Sequence, residues 1–201
     1  MMNPAKKYLG DIIGGSIMLR ESRLIAELLL LEPNTEQWSQ KIENENILQK
    51  ASIPSAKRFA STMKKRLAPM GRGFLKAVID ADDTLAMQLL LLGTMNDSPI
   101  LADFMKTVLA DAHRTYKEKL ERDSWVEFYE DHSRVIPELA NFSESSIKKM
   151  GSNVIKILSD AGYLSNARNK ILQKVYVQSE TLEWARKIEK SDFAQAFEIG
   201  Q

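Results

Sequence analysis

Five cationic side chains lie within thirteen positions at residues 55–67, SAKRFASTMKKRL, and no acidic side chain accompanies them. Lysine and arginine at this density suit phosphate, because the ammonium is a compact charge and the guanidinium is a fork of N–H donors. A polyanion such as nucleic acid is therefore the first ligand to consider. The alternative is a solvated helix surface that binds nothing.

A helical wheel separates this stretch into an apolar face and a cationic face. The apolar arc holds Ala56, Phe59, Ala60, Met63 and Leu67. The opposite arc holds Lys57, Arg58, Ser61, Lys64 and Lys65, with Arg66 at its edge. The i,i+4 neighbours on this helix are Lys57 with Ser61, Arg58 with Thr62 and Ser61 with Lys65, so no acid within the stretch relieves the cations. The pattern therefore favours an external anion.

The segment before the basic stretch, a short SIPS break and the basic helix follow the layout of a helix-turn-helix. In that motif the second helix enters the major groove of DNA and the first crosses the backbone. Serine and arginine near the N-terminal end suit base contacts, and the lysines further along suit phosphates. Arg72 and Lys76 could extend the same footprint.

A second basic segment lies at residues 145–174, which carry six basic groups and one acid, Asp160. SESSIKKMGSNVIKILSDAGYL resembles the recognition helix and following turn of winged-helix domains. Lys148, Lys149 and Asn153 would project from that helix, and Arg168, Lys170 and Lys174 would lie on or beside a wing. The alternative is a core helix whose lysines extend to water.

Charge is segregated along the chain although the net charge is only +1. Residues 46–79 carry eight basic groups and no acid, whereas 80–144 carry six basic and fourteen acidic groups. A ligand responds to the local potential within about 8–10 Å at moderate salt, so these blocks say more about partners than the net charge does.

Residues capable of catalysis do not converge in the sequence. A GxSxG elbow and a P-loop are absent, and His113 and His132 lack metal-ligand spacing. Acids at Asp80, Asp82 and Asp83 favour a helix start over a metal site. We expect neither an enzyme nor a bound cofactor.

Most segments read as helix, so we predict an all-α, compact multi-helix bundle. A helix at 16–31, capped by Ser16, is expected at its centre. Further helices are expected at 35–50, 55–67, 84–92, 99–121, from 124, at 143–161 with a cap at Gly162, and at 179–190. Residues 170–177 are expected to form a short strand or wing. One domain (1–201) is expected, with a possible division into 1–92 and a winged-helix-like 93–201.

GGSIMLRESRLIAELLL, together with KRFASTMKKRL and the later AGYL, resembles the BrxA family of bacteriophage-exclusion (BREX) defence systems. The resemblance covers nearly the whole chain. It implies a small, non-enzymatic, DNA-binding helical protein, likened to the antitermination factor NusB, acting beside a methyltransferase, an ATPase and a phosphatase-like protein. Ser16, Arg20, Glu21 and Arg23 match the family motif, and we expect structural roles for them, such as pairing of Arg23 with Glu27.

The leading hypothesis is a sequence-tolerant duplex-DNA-binding subunit of a defence complex. A protein–protein adaptor that docks a partner on the acidic 80–144 region is the second hypothesis, and NusB-like RNA binding is the third. The chain has no cysteine and no apolar run long enough for a membrane span, which favours a soluble protein of the cytoplasm.

Overall fold

The computed structural model describes residues 3–188 and 191–199, and most of them are helical. The helices run along the chain as α1 (Pro4–Leu9), α2 (Leu19–Leu30), α3 (Thr35–Ser39), α4 (Ile53–Leu67), α5 (Gly71–Asp80), α6 (Asp83–Asp97), α7 (Pro99–Phe104), α8 (Ala110–Arg114), α9 (Ser124–Val135), α10 (Glu144–Asp160), α11 (Ser179–Lys187) and α12 (Ser191–Phe197). The prediction of an all-α fold is confirmed.

The helix at the centre of the fold is α6, whereas α2 was expected there. Residues from Leu85 to Met95 are almost all buried, so α6 is apolar on every side, and it packs against α2, α4, α5, α7 and α11. Asp82 caps its N-terminus by accepting a hydrogen bond from the Leu85 N–H at 2.8 Å, which agrees with the helix start predicted at the acidic cluster. α2 keeps an exposed side, and Leu31 at its end is 74% exposed.

Several helix boundaries differ from the predicted ones. α2 begins at Leu19 instead of residue 16, because Met18 has a left-handed backbone (φ +50°). The helix predicted at 35–50 passes from α3 into a π-helical stretch and ends at Asn44. The helix predicted at 99–121 ends at Arg114, after a π-helical stretch between α7 and α8. Residues 189–190 of the last predicted helix lie outside the described residues.

Residues 163–173 form a short hairpin after α10, and we call this segment the hairpin. Gly162, at φ +83°, ends α10 as predicted. Leu164 bridges Leu172 on one side, and on the other side Ile171 bridges Lys119, all antiparallel. The strand predicted at 170–177 is therefore limited to these bridges.

The packing of α9 on α10 sets the position of the second basic helix. Trp125 of α9 is buried and donates its indole N–H to the Ile147 carbonyl at 2.8 Å. Gly151 gives the ring its space, since a methyl group there would lie 2.6 Å from Trp125 Cγ. Trp125, Phe128 and Tyr129 are all buried in the core.

We expect Gly151→Ala to lower the free energy of unfolding by about 1–3 kcal/mol, because a buried ring must move to admit the methyl group. Urea denaturation followed by circular dichroism measures this loss. Ser152→Ala, at the exposed neighbouring position, is the control and should change stability by less than about 0.5 kcal/mol. Equal stability of the two variants would contradict the close approach of α9 to α10.

Candidate nucleic-acid interface

α4 presents the predicted cationic face, with one exception. Ser52 caps the helix through the Ser55 N–H, and Ala56, Ala60, Met63 and Leu67 are buried. The residues exposed on the other side are Lys57, Arg58, Ser61, Lys64 and Lys65. Arg66 is the exception, because it is only 3% exposed and faces inward.

The buried Arg66 guanidinium holds the loop of residues 10–18, which we call the glycine loop. It donates to the carbonyl oxygens of Ser16 and Gly15, both at 2.8 Å. Burial lowers the pKa of Arg66, and the carboxylates of Asp97 and Asp11 act in the opposite direction. The prediction that Arg66 contacts nucleic acid is therefore wrong. The prediction that Ser16 caps α2 is also wrong, because Ser16 holds the glycine loop through its backbone carbonyl.

Other groups fix the glycine loop along its length. Arg58 donates to the Gly14 carbonyl at 3.1 Å, and the Asp11 carboxylate accepts from Thr62 at 3.0 Å. Gly14 lies so close to Thr62 that a side chain at position 14 would overlap the Thr62 side chain. The loop therefore lies directly on α4.

α10 also contacts the glycine loop. Asn153 donates its amide N–H to the Ile12 carbonyl at 3.3 Å. Lys149 and Lys156, one turn before and one turn after Asn153, are exposed, and among the described residues neither makes an ion pair. The glycine loop thus brings a face of α10 beside a face of α4.

A groove of about 560 Å³ lies between these two faces, and we call it the cationic groove. Its lining comprises Ile13, Gly15, Ser16, Met18, Lys50, Arg58, Phe59, Lys149, Asn153 and Lys156. Four of these side chains are cationic, and no described acidic residue is in the lining. Arg58 of the first basic segment and Lys149 and Lys156 of the second therefore line the same groove.

Two cations of the cationic groove were not singled out in the sequence. Lys156 lies seven residues after Lys149 and so falls on the same face of α10, which a helical wheel would have indicated. Lys50 precedes α4 in an irregular segment and gives no such signal. It pairs with Glu21 at 2.7 Å and lies 4.7 Å from the centre of the Phe59 ring.

Other predicted contact residues lie outside the cationic groove. Lys57 pairs with Glu43 and Lys65 with Asp11, at 3.0 and 3.1 Å. Lys64 lies over the Trp38 ring at 4.5 Å. Acids and rings from other elements therefore relieve the repulsion within α4 that the sequence left unrelieved.

Arg72 is remote from the cationic groove, since it donates to the Leu30 carbonyl at 3.1 Å and pairs with Glu32.

Arg23, one of the family-motif residues, has a structural role. Arg23 donates to Asp83 at 2.7 Å and to the Ala81 carbonyl at 2.6 Å, so the expected pairing with Glu27 is replaced by a link to the start of α6.

A second groove of about 620 Å³ separates α10 from the loop of the hairpin. Lys148 and Ser152 of α10 line one side, and Lys170 of the hairpin lines the other, with Arg122 nearby. Two acids, Glu121 and Asp123, are also in the lining. Lys148 is paired with Glu144, so it is less available to an anion than Lys149 and Lys156 of the cationic groove.

The described residues contain no cluster of three or more histidine, cysteine, aspartate or glutamate side chains placed to hold a metal ion. His132 packs against Phe128 with 4.1 Å between ring centres and an interplanar angle of 39°, and His113 lies in a different helix. Within residues 3–188 and 191–199, no helix combines the length and the apolar character that a membrane crossing requires.

The fold and the groove define the class of this protein: it is a small all-helical protein with a cationic groove whose described lining contains no acid. A family model described as BrxA matches residues 6–189. Two curated relatives are each described as "BREX protein BrxA". The one from Escherichia coli O9:H4 (strain HS) is 39% identical over 98% of this chain and 93% of its own length. The chain belongs to the BrxA family.

The other relatives extend the match to a solved fold. The protein from Paramagnetospirillum magneticum (strain ATCC 700264 / AMB-1) is 33% identical over 90% of both chains. A crystal structure of an uncharacterized protein from Magnetospirillum magneticum superposes with a TM-score of 0.85. It is 30% identical, and the match covers 95% of this chain and 98% of that one.

We expect Arg66→Met to lower the free energy of unfolding by about 2–4 kcal/mol, because two carbonyls at the loop lose their donors. Arg66→Lys should restore little of this, since one ammonium lacks the spread of donors that reaches both carbonyls. Urea denaturation measures both, with the exposed Arg72→Met as control. A loss no larger than that of the control would show that Arg66 does not hold the loop.

Proposed function

We propose that this protein is a non-enzymatic component of a BREX antiphage system that binds the backbone of duplex DNA in the cytoplasm. The observation that carries the proposal is the cationic groove, in which Lys50, Arg58, Lys149 and Lys156 meet without a described acid in the lining. Membership of the BrxA family supports the assignment to a BREX system, since both curated relatives are described as BREX proteins.

Phosphate is the DNA group that this groove suits. Lys149 and Lys156 make no ion pair in the described structure, and Arg58 lines the groove while one of its N–H groups bonds to the Gly14 carbonyl. Phosphate oxygens accept from both kinds of side chain, and each neutralised phosphate releases counterions, which favours binding at low salt.

The order of elements around α10 supports duplex DNA over RNA as the ligand. A helical stretch (α7 and α8), a short extended segment at 118–120, α9, α10 and then the hairpin follow one another. This is the order in winged-helix domains, where the last helix lies in the major groove and the hairpin beside it. α10 would then be the recognition helix, flanked by the cationic groove and the hairpin loop.

The exposed face of α10 favours binding that tolerates any sequence. Bidentate reading of adenine needs a free Asn or Gln amide, and reading of guanine needs a free Arg or Lys pair of donors. The Asn153 amide is already committed to the Ile12 carbonyl. Lysines at 148, 149 and 156 with Ser152 suit phosphates better than base edges.

A second function, contact with another BREX protein, is favoured by a separate acidic groove of about 410 Å³. Asp111, Glu121, Glu127 and Asp131 of the 80–144 region all line it, with Lys117 as its lysine. We propose this surface as the side that faces a protein partner, such as the methyltransferase, ATPase or phosphatase-like component. The four acids of this groove repel DNA phosphates, whereas the cationic groove attracts them.

The proposal predicts that Lys149→Glu with Lys156→Glu weakens duplex binding by roughly tenfold or more at moderate salt, because two phosphate contacts become repulsive. If about six phosphates are neutralised, the log-log salt slope should be near −5 for the unchanged protein and near −3.5 after two contacts are lost. Fluorescence anisotropy with a labelled duplex across a salt series measures both quantities.

Arg72→Glu with Lys76→Glu is the matched control, because it changes the net charge by the same amount on α5, where Arg72 pairs with Glu32. This variant should keep nearly the original affinity and slope. Equal weakening in both variants would mean that only net charge matters, and no weakening in the groove variant would place the DNA contact elsewhere. Competition with duplex RNA separates the DNA and RNA proposals.

Sequence tolerance gives a second expected result. Two duplexes of equal length and unrelated sequence should bind within about threefold of each other, because we expect no contacts to base edges. A single lost base contact typically costs about 1–3 kcal/mol, so even one such contact would produce a larger difference. Asn153→Ala should leave that ratio unchanged. A strong preference that disappears in Asn153→Ala would instead make this amide a base reader.

A further inference from the structure

A third basic surface lies away from the cationic groove, at the base of the hairpin. It is a shallow cavity of about 660 Å³ between the end of α8, the hairpin and the end of α12. Its lining comprises Ala110, His113, Arg114, Tyr116, Lys117, Leu172, Lys174, Gln195, Glu198 and Ile199. We call it the tyrosine cavity, after its most exposed member.

Tyr116 is 95% exposed, which is unusual for so large and partly apolar a side chain. Its backbone lies in the left-handed region (φ +56°), where a bulky residue is strained. The turn is nevertheless held on both sides, because the Tyr116 N–H donates to the His113 carbonyl at 3.1 Å and the Lys117 N–H donates to the Ala112 carbonyl at 2.9 Å. The ring is therefore presented to solvent by a hydrogen-bonded turn.

Cationic side chains line the same cavity as this exposed ring. Lys117 and Lys174 make no ion pair within the described part of the chain, whereas Arg114 pairs with Asp111 at 2.5 Å. Burial and the nearby Lys174 charge lower the pKa of His113, so this imidazole is neutral near pH 7. Glu198 is the one acid among the described lining residues.

We propose that the tyrosine cavity binds an unpaired nucleotide of single-stranded nucleic acid, with its base stacked on Tyr116 and its phosphates on Lys117 and Lys174. An exposed aromatic ring beside cations is what such ligands require, because every base has a face to stack and every linkage carries a negative charge. A purely electrostatic site would need the lysines alone. A protein partner that inserted an apolar side chain would leave these lysines without counter-charges.

This proposal is independent of duplex binding in the cationic groove, and the test keeps them apart. The probes are a fluorescein-labelled oligothymidine strand and an abasic strand of the same length, which has the same phosphates but no bases. Both are titrated into the full chain carrying Lys149→Glu and Lys156→Glu, so that the groove contributes little. The readout is the ratio of the two dissociation constants.

We expect the strand with bases to bind about 5- to 150-fold more tightly than the abasic strand, the range found for base stacking on aromatic side chains. Tyr116→Ala should reduce that ratio to near one, and Tyr116→Phe should keep it, because phenylalanine retains the ring. Tyr176→Ala is the matched control, since Tyr176 is 87% exposed but lies outside the cavity lining. It should leave the ratio unchanged.

A ratio near one in the parent protein would overturn the proposal, and so would an undiminished ratio in Tyr116→Ala. Lys117→Gln with Lys174→Gln gives a second readout that does not depend on the strained position. This variant should weaken the strands with and without bases by the same factor, since it removes only phosphate contacts. If only the strand with bases were weakened, the lysines would not be the phosphate contacts proposed.

Discussion

The buried guanidinium of Arg66 is the interaction on which the described surface depends. It comes from the mostly apolar side of α4 and bonds to two consecutive carbonyls of the glycine loop. Carbonyls at a loop have no partner within a helix or sheet, and leaving them unpaired when buried is costly. One arginine therefore converts a glycine-rich connection, which would otherwise be adaptable, into a fixed part of the fold.

The fixed loop is also what joins the two halves of the cationic groove. The Asp11 N–H donates to the Asp97 carboxylate at 2.8 Å, so the loop is held by the end of α6 as well as by α4. Asn153 of α10 bonds to the carbonyl of the next residue, Ile12. Since α4 and α10 meet through this loop, their cations become neighbours although about ninety residues separate them in the chain.

Local signals account for what the sequence predicted correctly. The apolar face of α4 and the end of α10 at Gly162 each depend on residues within one or two turns, so they can be read directly from the sequence. The start of α4 differs, because the helix begins at Ile53, inside the predicted SIPS break. The inward position of Arg66, at the edge of the wheel, is set by carbonyls fifty residues away. The early ends of the predicted helices at Asn44 and Arg114 follow from chain packing in the same way, because neither segment contains a proline or glycine stop.

Charge pairing explains why the repulsion inferred within α4 does not by itself require a ligand. Lys57, Lys64 and Lys65 each find an acid or a ring on a neighbouring element. Exposed pairs of this kind contribute only about 0–1 kcal/mol, so a phosphate can replace them at little cost. Lys149 and Lys156 of α10 make no ion pair among the described residues, so a phosphate there has no such competitor.

The near-neutral net charge therefore conceals two surfaces of opposite sign. The cationic groove has no described acid in its lining, whereas four acids share the groove between α8 and α9. At physiological salt a charge acts over about 8 Å, so the acidic side does not cancel the attraction at the basic side. The acidic groove does repel a polyanion that approaches it directly. Such like-charge repulsion fixes the orientation of a ligand more than it adds affinity. Segregated charge, with a net of +1, therefore lets separate surfaces of one small protein attract ligands of opposite charge.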